Sequence, residues 1–182
     1  MSNRSNEKAM QLALVTGLRA ALGPALIARS RQRPEHRNLA LAAIGEMLYD
    51  KIPGVPPRDS ALSLLARGLA GAWVAKQCQE ESEDNDPWIV PLGAAVAMGV
   101  AIAAPKIRTA LGWSTGLSQP VLGLLEDYLA LRLGSQAVGL SMEEIQEAAF
   151  ESVEHLKANL PNIEEIREHL PMVAQSAGAG SM

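Results

Sequence analysis

Aromatic residues make up only 3% of this 182-residue chain, although hydrophobic residues make up 48%. A soluble core of this size normally contains several Phe and Tyr, whereas membrane helices pack through small residues that let their backbones approach closely. Charged residues are only 20% of the chain and 15 residues are Gly. This composition excludes intrinsic disorder of the main body and leans towards a membrane protein.

The sequence also lacks the usual marks of an enzyme or a metal protein. Cys78 is the only cysteine, so neither an intrachain disulfide nor a thiolate zinc site can form. There is no phosphate-binding glycine loop, nucleophile elbow or zinc-protease helix pair. His36 lies in an Arg-rich loop, and His155 and His169 lie in an acidic tail. We therefore predict a protein that is not an enzyme and has no cofactor.

Charge divides the chain near residue 140. Residues 1–140 carry 14 Lys/Arg and 12 Asp/Glu, whereas residues 141–182 carry eight Glu against Lys157 and Arg167. We predict a membrane-embedded domain over 1–140 and an acidic, amphipathic helical tail with a disordered end over 141–182. An acidic tail argues against nucleic acid as a partner, because phosphate neutralisation needs a basic surface.

Apolar periodicity predicts an all-α protein, a compact polytopic membrane bundle of about four to five Ala- and Gly-rich helices. Residues 9–28 are long enough to cross a bilayer, with a kink at Pro24. Residues 39–51 are too short for a full span, so they form a half-helix, a buried core helix or part of a longer span. Residues 88–105 contain no charge, and are the strongest membrane signal. Further helices are predicted over 60–78 and 120–133, and residues 106–119 as a helix end and loop.

The only dense basic cluster suggests an orientation. Arg29, Arg31, Arg33 and Arg37 place their loop in the cytoplasm by the positive-inside rule. Everything after residues 39–51 inverts if that segment does not cross the membrane.

The tail begins with a capping-box pattern from Ser141 to Glu144. Apolar residues then recur at helical spacing, in a stripe of Ile145, Ala149, Val153, Leu156 and Leu160. The stripe must be buried either on the body of the protein or on a protein partner.

Two short segments suggest an internal duplication. Leu18–Gly23 (LRAALG) reappears as Ile107–Gly112 (IRTALG), and each copy is followed by an acidic helix. In one reading the chain is a two-fold repeat of helix pairs with opposite orientation, an architecture common in transporters. In the other reading the match is a chance result of abundant Ala, Leu and Gly.

Ionisable residues inside these helices are the candidate site. An Arg or Asp at the centre of a membrane helix costs roughly 2.5–3.5 kcal/mol, so such residues usually face a partner or an aqueous cavity. We predict the pairs Arg19–Glu46 and Arg108–Glu126. The full candidate binding set is Arg19, Glu46, Asp50, Lys51, Arg108, Glu126 and Asp127. These residues either fix helix packing by salt bridges or line a solute path. A metal site is not predicted, and Arg67 and Arg132 are expected to extend to the membrane surface.

The same residues carry a resemblance to a known family. The chain resembles the domain of unknown function 4126 family of small bacterial integral membrane proteins, over residues 12–133. The motifs are Gly17–Ala20, Glu46 with Asp50–Gly54, Arg67–Gly71, Lys106–Arg108 and Glu126–Asp127. The resemblance implies a compact membrane domain of several helices in the bacterial inner membrane, with no assigned activity.

Three hypotheses follow. The first is a membrane protein in which the candidate set forms a permeation or small-solute binding site. The second is a membrane scaffold that docks a protein partner through the tail stripe. The third is a soluble all-α protein with an Ala-rich core. The first two imply the lipid bilayer as a partner and are compatible with a homo-oligomer.

Overall fold

The computed structural model describes residues 2–49, 60–82 and 86–159, and within these ranges it contains seven helices and no strand. The helices are α1 Ser2–Leu18, α2 Leu22–Ser30, α3 His36–Tyr49, α4 Ala61–Ser82, α5 Ile89–Thr115, α6 Gln119–Val138 and α7 Met142–Asn159. The all-α prediction is confirmed. Within these ranges six helices precede the tail helix α7, one more than the predicted upper count of five, because residues 9–28 form two helices.

α1 and α2 form a helical hairpin. Near the start of α1, the Ser5 hydroxyl donates to the carbonyl of Cys78 in α4 at 2.8 Å. Just after α2, Arg31 donates to the neighbouring carbonyl of Gln77 at 2.6 Å. Both open ends of the hairpin therefore lie beside the C-terminal part of α4. The prediction that residues 9–28 cross in one direction, with a kink at Pro24, is wrong.

Proline chemistry explains where the chain reverses. Pro24 has no N–H to donate to Ala20, and its ring would clash with the carbonyl of that residue in a continuous helix. Pro24 is instead placed in the first turn of α2, where its missing donor costs nothing. The break falls at residues 19–21, upstream of the proline.

α4 and α5 pack with their backbones in contact. A Cβ built on Gly71 of α4 would lie 2.6 Å from the carbonyl oxygen of Gly93 in α5, and one built on Gly17 of α1 would lie 2.6 Å from that of Ala97. Only glycine permits these approaches. They place the end of α1 level with the middle of the uncharged segment of α5.

α5 is the one helix among the described residues that is long and apolar enough to cross a membrane. It continues through Pro105 to Thr115, so the predicted helix end at 106–119 comes too early. Only 22% of the most apolar segment of this helix is buried. Large apolar side chains of its C-terminal half and of α6 are exposed, among them Ile107, Leu111, Trp113, Val121, Leu124 and Leu125.

α7 begins with the predicted capping box. The Ser141 N–H donates to the Glu144 carboxylate at 2.7 Å, and the Glu144 N–H donates to the Ser141 hydroxyl at 3.1 Å. α7 packs against α3, and Ile145 contacts the hydrophobic core. The first part of the stripe is therefore covered by the body of the protein. Leu156 is exposed, and Leu160 lies outside the described residues.

Ion pairs collect where the hairpin opens, and we call this the basic end of the bundle. Glu81 accepts hydrogen bonds from Lys8 at 2.8 Å and from Arg31 at 3.0 Å. Partial burial raises the pKa of Glu81, but these two cations outweigh burial, and the pKa is lowered overall. A hydrogen bond from Arg37 lowers the pKa of Glu151 in α7. Much of the predicted basic cluster is thus paired with carboxylates.

Candidate functional site

The break between α1 and α2 leaves backbone donors that a carboxylate satisfies. The N–H groups of Ala20 and Ala21 donate to the two carboxylate oxygens of Glu46, at 3.0 and 3.1 Å. Glu46 reaches them because α3 returns from the basic end beside α2. A carboxylate is favoured there, since the N-terminal end of a helix carries unpaired N–H groups and partial positive charge.

Arg67 of α4 completes this arrangement from the other side. Its Nε donates to the carbonyl of Gly17 at 3.2 Å, and its guanidinium pairs with Glu46 at 2.8 Å. In a continuous helix the N–H of Ala21 would donate to that same carbonyl. The Arg67–Glu46 ion pair therefore takes the place of a missing helical hydrogen bond, supplying an acceptor to Ala21 and a donor to Gly17.

Arg19 lies at the turn itself and pairs with a residue other than Glu46. Its guanidinium forms a buried ion pair with Asp127 of α6, in which Nε lies 2.7 Å from the carboxylate. Arg19 is 1% exposed and Asp127 is 7% exposed. We call Arg19, Glu46, Arg67 and Asp127 the tip cluster. It joins four helices or helix ends at one level of the bundle.

A second ion pair lies in a groove between α5 and α6. Arg108 and Glu126 approach to 3.4 Å, which confirms that predicted pair. The groove has a volume of about 180 Å³ and is otherwise lined mainly by leucine and isoleucine, including Leu18 at the end of α1. The Arg108–Glu126 pair is thus adjacent to the hairpin tip.

The structure brings most of the predicted set together but changes the partners. Arg19, Glu46 and Asp127 meet in the tip cluster, and Arg108 and Glu126 meet in the groove. The predicted Arg19–Glu46 pair is wrong, because Arg19 pairs with Asp127 and Glu46 pairs with Arg67. Asp50 and Lys51 lie outside the described residues.

Arg67 is the site residue that sequence reasoning missed. It was expected to extend to the surface from a helix end, but it is 5% exposed. The available signal was its neighbourhood of small residues, Gly68 and Gly71, which indicates a helix face in close contact with another helix. Arg132, by contrast, is exposed as expected.

The two carboxylates of the tip cluster take part in ion pairs and hydrogen bonds. The Glu46 carboxylate already accepts from two N–H groups and a guanidinium, and the Asp127 carboxylate from Arg19. Among the residues that the structure describes, no group of three or more His, Cys, Asp or Glu side chains could hold a metal ion.

The chain belongs to the family described as Domain of unknown function (DUF4126), whose model matches residues 14–141. The match includes every described residue of the tip cluster and of the α5–α6 groove. The resemblance inferred from the sequence is confirmed. No curated protein and no solved structure matches the chain.

Proposed function

We propose that this protein is an integral membrane protein whose α1–α2 hairpin enters the bilayer and returns to the same side. In this proposal the tip cluster binds a small solute or ion and forms part of a permeation path. The observation that carries the proposal is the depth of the cluster relative to α5, the helix that is apolar enough to cross.

The depth follows from helix geometry. Gly17 contacts α5 at Ala97 and Val100, which lie eight and eleven residues after Ile89. At 1.5 Å per residue this is about 12–16 Å along α5. Half of a typical hydrocarbon core is about 15 Å. If α5 spans, the hairpin tip lies near the bilayer midplane.

The surface of the bundle supports a lipid environment. A core helix of a soluble protein would be mostly buried, whereas only 22% of the most apolar segment of α5 is buried. Exposed large apolar side chains recur along α5 and α6, and Ile107, Leu111 and Leu125 line one groove. An exposed apolar surface of this kind marks a membrane or protein interface. The basic end carries the ion pairs of Glu81 and Glu151. It also carries Trp88, which is 75% exposed, as expected for an anchor at the membrane–water interface.

The chemistry of the tip favours the binding of an anion in place of the Glu46 carboxylate. Broken backbone is tolerated at membrane depth only where protein or an aqueous cavity satisfies it. Here the Glu46 carboxylate satisfies Ala20, Ala21 and Arg67. A solute carboxylate or an inorganic anion offers the same acceptor atoms and could take its place when the Glu46 side chain turns away.

The two-fold repeat is part of this proposal. Arg19 and Arg108 occupy the same place in the two similar segments, and each forms an ion pair with α6. The first segment, however, breaks between two helices, whereas the second lies inside α5. The Arg108–Glu126 groove would then be the second polar element of the path.

Alkaline carbonate extraction tests the membrane assignment first. We expect the full chain to stay in the membrane pellet, and its release as intact protein would contradict the proposal in favour of a soluble protein. Flux is then measured in proteoliposomes with dyes that report chloride, protons and potassium. We expect Glu46→Gln and Glu126→Gln to reduce flux at least several-fold, with Glu81→Gln at the basic end as the matched control. Equal flux in all three variants would exclude permeation through the cluster.

A second candidate function is the docking of a protein partner on α7. It is supported by Phe150 and Leu156, which are 72% and 43% exposed. Because α7 covers part of α3, deletion of residues 141–182 would also uncover the body of the protein. The sharper test is therefore Phe150→Ala with Leu156→Ala, which should abolish co-purification of a partner. Unchanged co-purification would count against this function.

A further inference from the structure

A cavity of about 200 Å³ lies between α2, α3, α6 and α7, and none of the four tip-cluster residues lines it. Its walls are almost entirely apolar, and small residues contribute much of them, including Ala40, Ala43 and Ala149. Because alanine side chains are short, those of α3 and α7 leave an open space between the two helices. An apolar cavity of about 150 Å³ is large enough to take up benzene, so this one can hold a chain of about six to eight carbons.

One end of the cavity is polar. His36 and Arg29 both line it. The His36 Nδ1 lies 2.7 Å from the carbonyl oxygen of Arg33, which can only accept, so Nδ1 must carry a proton. Within the described part of the chain, the Nε2 atom of His36 is buried and has no hydrogen-bond partner. A buried nitrogen of this kind is costly unless a hydrogen-bond partner satisfies it, and a ligand in the cavity would supply one.

The charge at this end is positive. Arg29 and Arg37 share one carboxylate, that of Glu151, at 3.7 and 2.5 Å. Two guanidinium groups against one carboxylate leave an excess positive charge beside His36. A carboxyl group suits this place, because it can share one proton with Nε2 whichever partner carries it, and its negative charge complements Arg29.

We propose that this cavity binds a single-chain carboxylate of about six to eight carbons, with its chain between α3 and α7 and its carboxylate at Arg29 and His36. The site is separate from the solute site proposed at the hairpin tip, and it does not depend on transport. It also gives α7 a role, since ligand binding would hold that helix on the body.

The probe is radiolabelled octanoate, measured by equilibrium binding to the full-length protein in nanodiscs, with the signal of protein-free nanodiscs subtracted. We expect saturable binding of one octanoate per chain, weaker binding of octanol, and the weakest binding of octylamine, whose cation is repelled by Arg29. Binding that does not saturate, or equal binding of all three molecules, would overturn the proposal.

Two matched pairs of variants locate the site. Ala149→Leu fills the cavity and should weaken octanoate binding at least tenfold, whereas Ala158→Leu on the exposed end of α7 should leave it unchanged. Arg29→Met should weaken octanoate but not octanol, with Arg132→Met as its exposed control. If Ala149→Leu disturbs folding, the Arg29→Met pair alone still tests whether octanoate binds in this cavity. Octanoate binding that is the same in each variant and its control would place any bound molecule elsewhere and refute the assignment.

Discussion

The Glu46→Gln substitution tests whether the tip cluster stabilises the broken helix as the structure indicates. Both carboxylate oxygens of Glu46 accept hydrogen bonds, one from Ala20 and Arg67 and the other from Ala21. A glutamine would present an NH₂ group to at least one of these donors. The substitution therefore removes a charge, loses at least one hydrogen bond and breaks the Arg67–Glu46 ion pair.

The magnitude follows from burial. The Arg67 and Glu46 side chains are 6% and 17% exposed, and breaking a buried ion pair by removing one partner costs about 3–5 kcal/mol. Arg67 keeps its hydrogen bond to Gly17, which places the cost at the lower end. For a chain of this length, a loss of about 3 kcal/mol corresponds to a Tm decrease of roughly 6–12 °C.

The assay is thermal unfolding of the purified protein in detergent, followed by circular dichroism at 222 nm. Glu81→Gln is the matched control, because its ion pairs are partly exposed and contribute only about 0–1 kcal/mol. The double variant Glu46→Gln with Arg67→Met should be more stable than the sum of the single effects, since the Arg67–Glu46 pair can be lost only once. Equal destabilisation by Glu46→Gln and Glu81→Gln, or strict additivity in the double variant, would refute the reasoning.

Three further predictions concern packing, reactivity and pH. Gly93→Ala should lower the Tm, because the added Cβ would lie 2.8 Å from a backbone oxygen of α4. Gly99→Ala should be neutral or stabilising, because a Cβ at that position would have no atom of another described helix within 4 Å. Equal Tm values for the two variants would contradict the close packing. Cys78 is fully buried, so a water-soluble maleimide should label it only after denaturation, and rapid labelling of the native protein would show that the basic end opens. The pKa values of Glu81 and Glu151 are lowered in the folded protein. Their ion pairs therefore stabilise the folded protein above the unfolded carboxyl pKa of about 4.3, and this stabilisation is lost as the pH falls below about 4. A Tm that stays constant from pH 6 to pH 3 would argue against this contribution.

Local signals predicted the elements of the fold well. The capping box at Ser141 and Glu144, the uncharged start of α5 and the buried start of the α7 stripe at Ile145 all depend on residues close together in the chain. Each of these features is present in the structure. The reversal near residue 20 could not be found in this way, because apolar length alone does not distinguish a crossing helix from a hairpin of two short helices.

The choice of ion-pair partners was also beyond local reasoning. The sequence places Arg19 and Asp127 108 residues apart, and it places Arg67 in an apolar helix with no indication of its depth. The sequence by itself determined, through its apolar periodicity, that the chain is helical. Its composition indicated packing through small residues, and the few charges inside apolar helices indicated a need for partners, since a buried unpaired charge is too costly. Only the tertiary structure decided that Arg67 inserts into the broken helix and that Arg19 turns to α6, because these contacts depend on where the hairpin reverses and which helices meet at its tip.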